Sequence, residues 1–358
     1  MKKTIYFFNE NHEYGGAEKM FMWLSKSLYK EGYDIRYCML YRNDDIDTSP
    51  IPTDYLDFKF YNSYLLRNLW YFIIGFFKIA QYIRKNNVKY IVCFGFNSFY
   101  ILGILKYFFK FQLIASERGD PSMKRFSGVR KKLFENCDGA VFQTDGARRF
   151  YENNKDENSY IISNPVIIPE DEWKEPINSL NVISVGRIDF EQKRQDLLVK
   201  SFKMVVETIP EATLTIVGKG FDMDALRQLI VDNGLENRIE LIGFKKDVLS
   251  ELRKANVFVL SSDFEGIPNS LLEAMSYGMP VISTNCSPGG AAFLIKNEVN
   301  GLLVPRGNEC ALADGIIRLL KNSEERKKLG AKARNSMKRF DEQNIIKQWE
   351  EVINKSFC

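Results

Sequence analysis

Histidine is nearly absent from this sequence: the 358-residue chain contains one, His12. Zinc sites of the zincin or Cys2His2 type need a pair of histidines, and the six cysteines include no C-x-x-C pair. The sequence therefore predicts no protein-built metal site. The cysteines are scattered along the chain. The N-terminal residues Met1 to Phe8 form a strand-like pattern and not the pattern of a signal peptide. We accordingly expect reduced thiols, as in cytoplasmic proteins, rather than disulfides.

Negative charge is missing from one long stretch. From Phe58 to Ser116 there is no Asp or Glu, although the whole chain is nearly balanced, with 50 Lys plus Arg against 46 Asp plus Glu. The longest uncharged run in this stretch, Tyr90 to Leu105, is shorter than the roughly 20 apolar residues that span a bilayer, so we expect no transmembrane helix. The stretch is rich in aromatic residues, and its cations are Lys59, Arg67, Lys78, Arg84, Lys85, Lys89, Lys106 and Lys110.

A basic, aromatic surface of this kind favours peripheral contact with anionic lipid, because cations attract the headgroups and aromatic rings settle at their level. The alternative is an ordinary basic face in contact with solvent. No nucleic-acid partner is predicted.

Eleven short β-rich runs, six before Asn164 and five after Leu180, alternate with helical patterns, which is typical of parallel α/β sheets. Between Asn164 and Leu180 the alternation stops in a segment rich in proline and acidic residues, which indicates a linker. We predict two doubly wound, Rossmann-like domains with the ligand cleft between them, at the carboxyl ends of the strands. The predicted parts are a first domain at 1–168, a linker at 169–180, a second domain at 181–340, and a helix at 341–358 that could cross back to the first domain.

The most specific motif runs from Phe264 to Met275. Its carboxylates, Glu265 and Glu273, are eight positions apart and flank a predicted strand-to-helix turn. Gly266 allows close backbone approach, and Pro268 is preset for a first helical turn. The unpaired N–H groups of such a turn, at the positive end of the helix, favour a phosphate. The simpler alternative is that Glu273 complements the helix dipole and Glu265 is a solvated loop charge.

Two cations follow the predicted strand from Asn181 to Val185, at the same sheet edge as this turn. Arg187 can hold two phosphate oxygens as a fork, and Lys193 adds a point charge. Together they would neutralise a diphosphate without a metal, and the two carboxylates on either side would accept hydrogen bonds from sugar hydroxyls. This combination fits a nucleotide sugar, although each cation taken singly is more often a surface residue.

Two glycine pairs differ in what they indicate. Gly15 and Gly16 follow the first predicted strand at a helix start, where backbone N–H groups can approach a ligand. Gly218 and Gly220 lack the third glycine of the G-x-G-x-x-G pattern, so a dinucleotide fingerprint is not supported.

Taken together, these motifs resemble glycosyltransferase family 4, whose members have the GT-B fold of two Rossmann-like domains and transfer sugars with retention of configuration. The motifs are Gly15-Gly16-Ala17-Glu18, Val185-Gly186-Arg187 with Lys193, Ile216-Val217-Gly218-Lys219-Gly220, Gly243-Phe244 with Asp247-Val248, and Glu265 with Glu273. Three further segments are similar to segments of enzymes that build capsule, exopolysaccharide or N-glycan precursors from UDP-galactose or UDP-N-acetylhexosamines. They are Ala115-Ser116-Glu117-Arg118-Gly119-Asp120-Pro121, Phe142-Gln143-Thr144 and Asn164-Pro165.

The resemblance implies catalytic roles for three residues. Arg187 and Lys193 would stabilise the donor diphosphate, and Glu265 would be directed at the donor sugar. Glu273 would hold the ribose hydroxyls. The other implied contacts to the donor or the reacting sugar are Gly15 and Gly16 for phosphate and sugar, Phe244 and Lys245 for the base, and the turn of Pro268, Asn269, Ser270 and Leu271 for phosphate.

The sequence departs from the family at two places. Many members have a His near the reacting sugar in the first domain, whereas the corresponding loop here contains Glu117, Arg118 and Asp120, which we expect to contact the substrate. Ala292 stands where relatives often have Glu.

The implied reaction transfers galactose or an N-acetylhexosamine from a UDP-sugar to a hydroxyl of a lipid-diphosphate-linked saccharide, without a cofactor. The protein would act in the cytoplasm, peripherally at the inner face of the cell membrane. Two other readings stay open: an isomerase like the non-hydrolysing UDP-N-acetylglucosamine 2-epimerase, and a catalytically silent subunit that binds a nucleotide sugar. The oligomeric state is left open as well.

Overall fold

The computed structural model describes residues 3–10, 16–43, 47–58, 64–94, 96–123, 127–151, 156–177 and 179–357, with the backbone alone at 64–71, 96–97 and 156. Two compact units make up the chain. The first unit comprises Met1–Ile162 and Ile345–Cys358, and the second comprises Ser163–Asn344.

The first unit is built on a parallel sheet of seven strands in the order β3-β2-β1-β4-β5-β6-β7. Its apolar strands are buried, as expected of a parallel sheet with helices on its faces. Strand order reverses beside β1, which pairs with both β2 and β4. The elements are β1 (Thr4–Asn9), α1 (Gly16–Lys30), β2 (Asp34–Met39), β3 (Thr53–Tyr55), α2 (Tyr64–Lys85), β4 (Tyr90–Cys93), α3 (Phe96–Leu105), β5 (Gln112–Ser116), α4 (Ser127–Glu135), β6 (Gly139–Phe142), α5 (Asp145–Tyr151) and β7 (Ser159–Ile161).

The second unit repeats the plan with six parallel strands in the order β10-β9-β8-β11-β12-β13. Strand β8 pairs with both β9 and β11, so the carboxyl ends of these three strands are neighbours at one sheet edge. The elements are β8 (Asn181–Val185), α6 (Gln195–Thr208), β9 (Thr213–Val217), α7 (Met223–Asp232), β10 (Ile239–Gly243), α8 (Val248–Leu252), β11 (Val257–Leu260), α9 (Asn269–Tyr277), β12 (Val281–Thr284), α10 (Gly290–Leu294), β13 (Leu302–Val304), α11 (Glu309–Lys321) and α12 (Ser323–Met337).

The two parallel sheets confirm the predicted class of two Rossmann-like α/β units. Two strands, β3 and β13, were not predicted. Each has three residues and lies at the edge of its sheet. Strands this short are only partly buried and show no alternation long enough to be read from the sequence.

The predicted linker segment is held against the second unit. Its described residues contain no helix or strand between 164 and 180. The Trp173 side chain donates a hydrogen bond to the Ala255 carbonyl (3.0 Å), and Glu175 pairs with Arg326. Burial of Glu175 favours its neutral form, but hydrogen bonds from Ser323 and Arg326 outweigh it and lower the pKa of that carboxyl.

The last helix, α13 (Glu342–Ser356), packs on the first unit from Ile345 onward. Its buried residues recur at helical spacing: Ile345, Trp349, Val352 and Ile353. Trp349 is fully buried, and its ring stacks on Phe94 with the centroids 5.6 Å apart. Among the described residues, no helix is long and apolar enough to cross a membrane.

Replacing Trp349 by alanine tests how much α13 contributes to the first unit. We expect Trp349→Ala to lower the free energy of unfolding by about 3–5 kcal/mol, because a fully buried ring leaves a cavity. The measurement is urea unfolding followed by circular dichroism. Glu351→Ala, at an exposed position of the same helix, should change stability by no more than about 0.5 kcal/mol. Equal effects of the two substitutions would contradict this account of α13.

Candidate functional site

The site begins in the loop that follows β8. This loop packs on the glycines after β9: the Gly186 amide donates to the Val217 carbonyl (3.0 Å), and the Ile188 amide donates to the Lys219 carbonyl (3.1 Å). A Cβ on Gly218 would lie 1.8 Å from the Gly186 carbonyl oxygen. Any side chain at Gly218 would therefore displace the loop that contains Arg187. This close packing is a structural reason for a glycine pair that lacks the dinucleotide fingerprint.

Lys193 and Glu265 form an ion pair in which Glu265 is buried and Lys193 is partly buried. The Lys193 ammonium contacts Oε1 of Glu265, and the Ser262 hydroxyl donates to the same oxygen (2.8 Å). The side chains of Lys193 and Glu265 are 17% and 8% exposed. A charge that is removed from water loses its hydration, so it needs an opposite charge and hydrogen bonds in its place. The structure thus brings together two of the three predicted catalytic residues. Of the three donor hydrogens of an ammonium group, Glu265 occupies one.

Arg187 lies at the outer end of the same loop. Its side chain is half exposed and donates to Asp189 (2.9 Å) and to Oε1 of Gln192 (3.0 Å). A half-exposed guanidinium held by neighbours in its own loop is accessible to an anion arriving at this sheet edge.

Gln192 connects these groups and was missed in the sequence. Its Oε1 accepts from Arg187, while its Nε2 donates to the Phe264 carbonyl (3.1 Å) and more weakly to Oε2 of Glu265 (3.4 Å). Its backbone carbonyl accepts from the Asp263 amide (2.8 Å). In the sequence, the one indication that Gln192 belongs to the site is its position next to Lys193. A single amide side chain thus ties the β8 loop to the loop after β11.

The loop after β11 is also supported from the opposite side. The Glu265 amide donates to the Ser287 carbonyl (2.7 Å), and a Cβ on Gly290 would lie 1.6 Å from the Gly266 carbonyl oxygen. Cys286 is buried beside this contact, and burial together with the Glu265 charge raises the pKa of its thiol to about 12. Cys286 is therefore a protonated packing residue.

Helix α9 starts at Asn269, and Pro268, which was expected in the first helical turn, is its N-cap. Pro268 has extended dihedrals (φ −73°, ψ 105°) and makes no side-chain capping bond. The first-turn amides of Ser270 and Leu271 lie at this end, and the Asn269 side chain accepts from Asn164 (2.6 Å). Glu273 is exposed one turn further on. The helix end thus offers the backbone donors that the sequence indicated.

Phe244 and Lys245 follow β10 and are exposed. The Lys219 ammonium lies 5.6 Å from the centre of the Phe244 ring, a cation–π distance. The Gly243 carbonyl accepts from the Gly218 amide (2.9 Å), so this loop adjoins the glycines that support Arg187.

In the first unit, Glu117 and Arg118 are engaged in the interior. Glu117 pairs with Arg130 and accepts from the Tyr151 hydroxyl (3.1 Å). The Arg118 guanidinium lies 4.7 Å from the Phe94 ring and 5.5 Å from the Trp349 ring. Burial lowers the pKa of Arg118 to about 9, an effect that the Glu117 charge opposes.

Asp120 differs from these two. One oxygen accepts from the amide (2.9 Å) and hydroxyl (2.6 Å) of Ser122, whereas the other is buried and has no hydrogen-bond partner among the described residues. Gly16 is the exposed first residue of α1. Gly15 and His12 lie outside the described residues.

The described residues hold no group of three or more His, Cys, Asp or Glu side chains that could bind a metal ion. The cysteines in the described ranges are free, with Cys310 exposed and the other four buried: Cys38, Cys93, Cys137 and Cys286.

Residues 168–336 match the family model described as "Glycosyl transferases group 1". This range lies inside the second unit and includes Arg187, Lys193, Glu265 and α9. The second unit is therefore similar, over most of its length, to a glycosyltransferase group 1 domain.

Individual glycosyltransferases also align with this chain. An uncharacterized glycosyltransferase of Haemophilus influenzae is 24% identical, with 99% of this chain and 100% of that protein aligned. The UDP-Gal:alpha-D-GlcNAc-diphosphoundecaprenol alpha-1,3-galactosyltransferase of Escherichia coli is 33% identical, over 40% of this chain and 37% of that enzyme. The chain thus spans the whole of the first relative and under half of the second.

Among solved structures, Anabaena HepE in complex with UDP-glucose superposes with a TM-score of 0.80 at 19% identity, covering 98% of this chain and 99% of that one. At this identity the likeness concerns the fold, and it confirms the predicted GT-B class.

Gly290→Ala tests whether the packing behind Glu265 is as tight as the geometry indicates. The added methyl would overlap the Gly266 carbonyl, so we expect the unfolding free energy to fall by about 2 kcal/mol or more. Gly234→Ala is the control: its φ is +66° and no atom lies within 4 Å of the added carbon. It should show only the left-handed backbone cost of about 1 kcal/mol. If the control lost as much stability as Gly290→Ala, the packing argument would be wrong.

Proposed function

We propose that this protein is a retaining, metal-independent glycosyltransferase of family 4 that transfers a sugar from a UDP-sugar to a lipid-diphosphate-linked saccharide. The main observation behind this proposal is the grouping of Arg187, the Lys193–Glu265 pair and the amino end of α9 within a unit that is similar to a glycosyltransferase group 1 domain. Cations and unpaired backbone donors together suit a diphosphate better than any neutral ligand.

In this proposal the second unit binds the donor. The α9 amides and Arg187 hold the diphosphate, while Lys193 adds charge beside it. Glu265, which is paired with Lys193, accepts hydrogen bonds from the sugar, and the exposed Glu273 accepts them from the ribose. The exposed Phe244 ring stacks on the base. The UDP-glucose bound by HepE, which shares the fold, supports this class of donor.

The proposed chemistry is a front-face substitution. The bond between the anomeric carbon and the diphosphate oxygen breaks, and the acceptor oxygen bonds to the same face of that carbon. The acceptor proton passes to an oxygen of the leaving diphosphate. Protein groups then have to stabilise charge and hold the reactants, and each preorganised cation contributes a few kcal/mol. This mechanism needs no imidazole base.

A lipid-linked acceptor is supported by the E. coli relative, whose name gives a diphosphoundecaprenol-linked acceptor and UDP-Gal as donor. For this chain we propose galactose or an N-acetylhexosamine as the transferred sugar. Asp120, whose second carboxylate oxygen is buried and has no hydrogen-bond partner among the described residues, would contact the acceptor hydroxyl. The enzyme would work in the cytoplasm at the inner face of the cell membrane.

The direct experiment incubates the protein with a panel of UDP-sugars, with and without a lipid-diphosphate-linked acceptor, and measures UDP release. We expect release that depends on the acceptor, persists in EDTA, and yields a product with the donor's anomeric configuration. Sugar isomerisation without an acceptor would indicate the epimerase-like reading instead. UDP-sugar binding without turnover of any donor would indicate a silent subunit.

Arg187→Ala should lower kcat by about 10²- to 10³-fold, because the leaving diphosphate loses a preorganised cation. Arg227→Ala is the matched control, since Arg227 is an exposed arginine of the same unit that pairs with Asp224 (2.9 Å). Steady-state UDP release measures both. Wild-type turnover of Arg187→Ala would remove Arg187 from the mechanism.

Gln192 gives a second, graded test. Gln192→Ala should lower kcat/KM by about tenfold through misplacement of Arg187 and Glu265. Gln192→Glu, which adds a negative charge next to Glu265, should lower it further. The thermal midpoint of each variant shows whether the loss is local. If Gln192→Glu were as active as the wild type, Gln192 would have no positioning role.

A further inference from the structure

The first unit exposes a group of large apolar side chains, which we name the α2–α3 face: Ile73 and Phe77 on α2, Ile104 on α3, and Tyr107 and Phe108 in the turn after α3. The Phe77, Tyr107 and Phe108 side chains are 65%, 65% and 72% exposed. Single exposed apolar residues are common, but a cluster of this kind marks an interaction site.

The helix geometry explains why these residues are exposed. Ile79, Tyr82 and Ile83 on α2 are buried in the core of the unit, whereas Ile73 and Phe77, at i and i+4, lie on the opposite side.

The aromatic rings join the helix to the turn. Phe76 lies 5.7 Å from Phe77 and 6.5 Å from Phe108, both in edge contact. The exposed rings of α2 and of the turn thus form one continuous surface.

Four exposed cations accompany this face: Arg84, Lys85, Lys89 and Lys110. None of the four forms a salt bridge with a described carboxylate, and the sequence has no Asp or Glu from Phe58 to Ser116. The nearby Lys78 and Lys106 have structural roles, since Lys78 donates to the Leu56 carbonyl (2.7 Å) and Lys106 pairs with Asp138 (2.6 Å). Within the described part of the chain, no carboxylate compensates the charge of these four cations.

The chain topology orients this face relative to the acceptor residues. Helix α2 follows β3 and precedes β4, so it runs from the carboxyl edge of the sheet to the amino edge. The Gln112 amide donates to the Lys89 carbonyl (2.8 Å), which puts Lys89 and Lys110 at the amino edge. Asp120 follows β5 at the carboxyl edge. With 22 residues, the backbone of α2 is about 33 Å long and runs between the two edges of the sheet.

We propose that the α2–α3 face docks on an anionic bilayer. Phe77, Tyr107 and Phe108 insert at the headgroup level, and the four cations contact lipid phosphates. Charge complementarity selects this partner, because a surface that combines exposed apolar rings with cations that pair with no described carboxylate fits anionic lipid at both features. The inference rests on the proposed function in that a lipid-linked acceptor lies in the same membrane.

The test is flotation of the full chain with vesicles of phosphatidylcholine, with or without phosphatidylglycerol. We expect binding only to the anionic vesicles, weakened by salt. Phe77→Ser with Phe108→Ser should lower the partition coefficient by about tenfold or more. Lys85→Ser and Lys110→Ser should each lower it by about fivefold. The matched controls in the second unit are the exposed Phe221→Ser and Lys203→Ser, which should float like the wild type.

Circular dichroism of each variant shows that the fold is kept. The proposal is overturned if the wild type does not float with anionic vesicles, or if the controls lose as much binding as the variants of the face. It is also overturned if light scattering shows a dimer that Phe77→Ser with Phe108→Ser dissociates, because a second copy would then be the occupant.

Flotation uses no sugar donor, so its result is independent of the proposed reaction. Transfer to an acceptor with a short, water-soluble lipid should be unchanged in the variants of the face. If the protein floats with anionic vesicles but transfers no sugar, the proposed docking surface is supported and the proposed transferase activity is wrong.

Discussion

The ion pair between Lys193 and Glu265 is the interaction on which the candidate site depends. Burying two charges is favourable only if they meet with good geometry and further hydrogen bonds, and Ser262 and Gln192 supply these bonds. The pair forms because β8 and β11 are neighbours in the sheet, which sets the loops after these strands side by side. Without that strand order the cations and the α9 end would be separate surface features.

Close backbone contacts hold the same two loops from behind. Gly218 fits against Gly186, and Gly290 fits against Gly266. These glycines leave the polar side chains at the sheet edge little freedom to shift. Side chains held in place in this way can stabilise the charge that develops on a leaving diphosphate without first having to move, as the proposed reaction requires.

Much of this could be predicted from the sequence, because buried parallel strands and turn motifs are local patterns. The α/β class, eleven strands, Arg187, Lys193, Glu265 and the α9 turn were predicted from such patterns. The role of Gln192 could not be, since it depends on a contact with Phe264, 72 positions away. The engagement of Glu117 with Arg130 and Tyr151 is likewise a tertiary contact, and the edge strands β3 and β13 are too short to show a period.

The central claim is that the second unit binds a nucleoside diphosphate through Arg187, Lys193 and the α9 amides. Calorimetric titration with UDP and with UMP, in the presence of EDTA, tests it most directly. The account predicts that UDP binds at least about tenfold more tightly than UMP, because only UDP places a second phosphate among these donors. Equal affinities for the two nucleotides would contradict it.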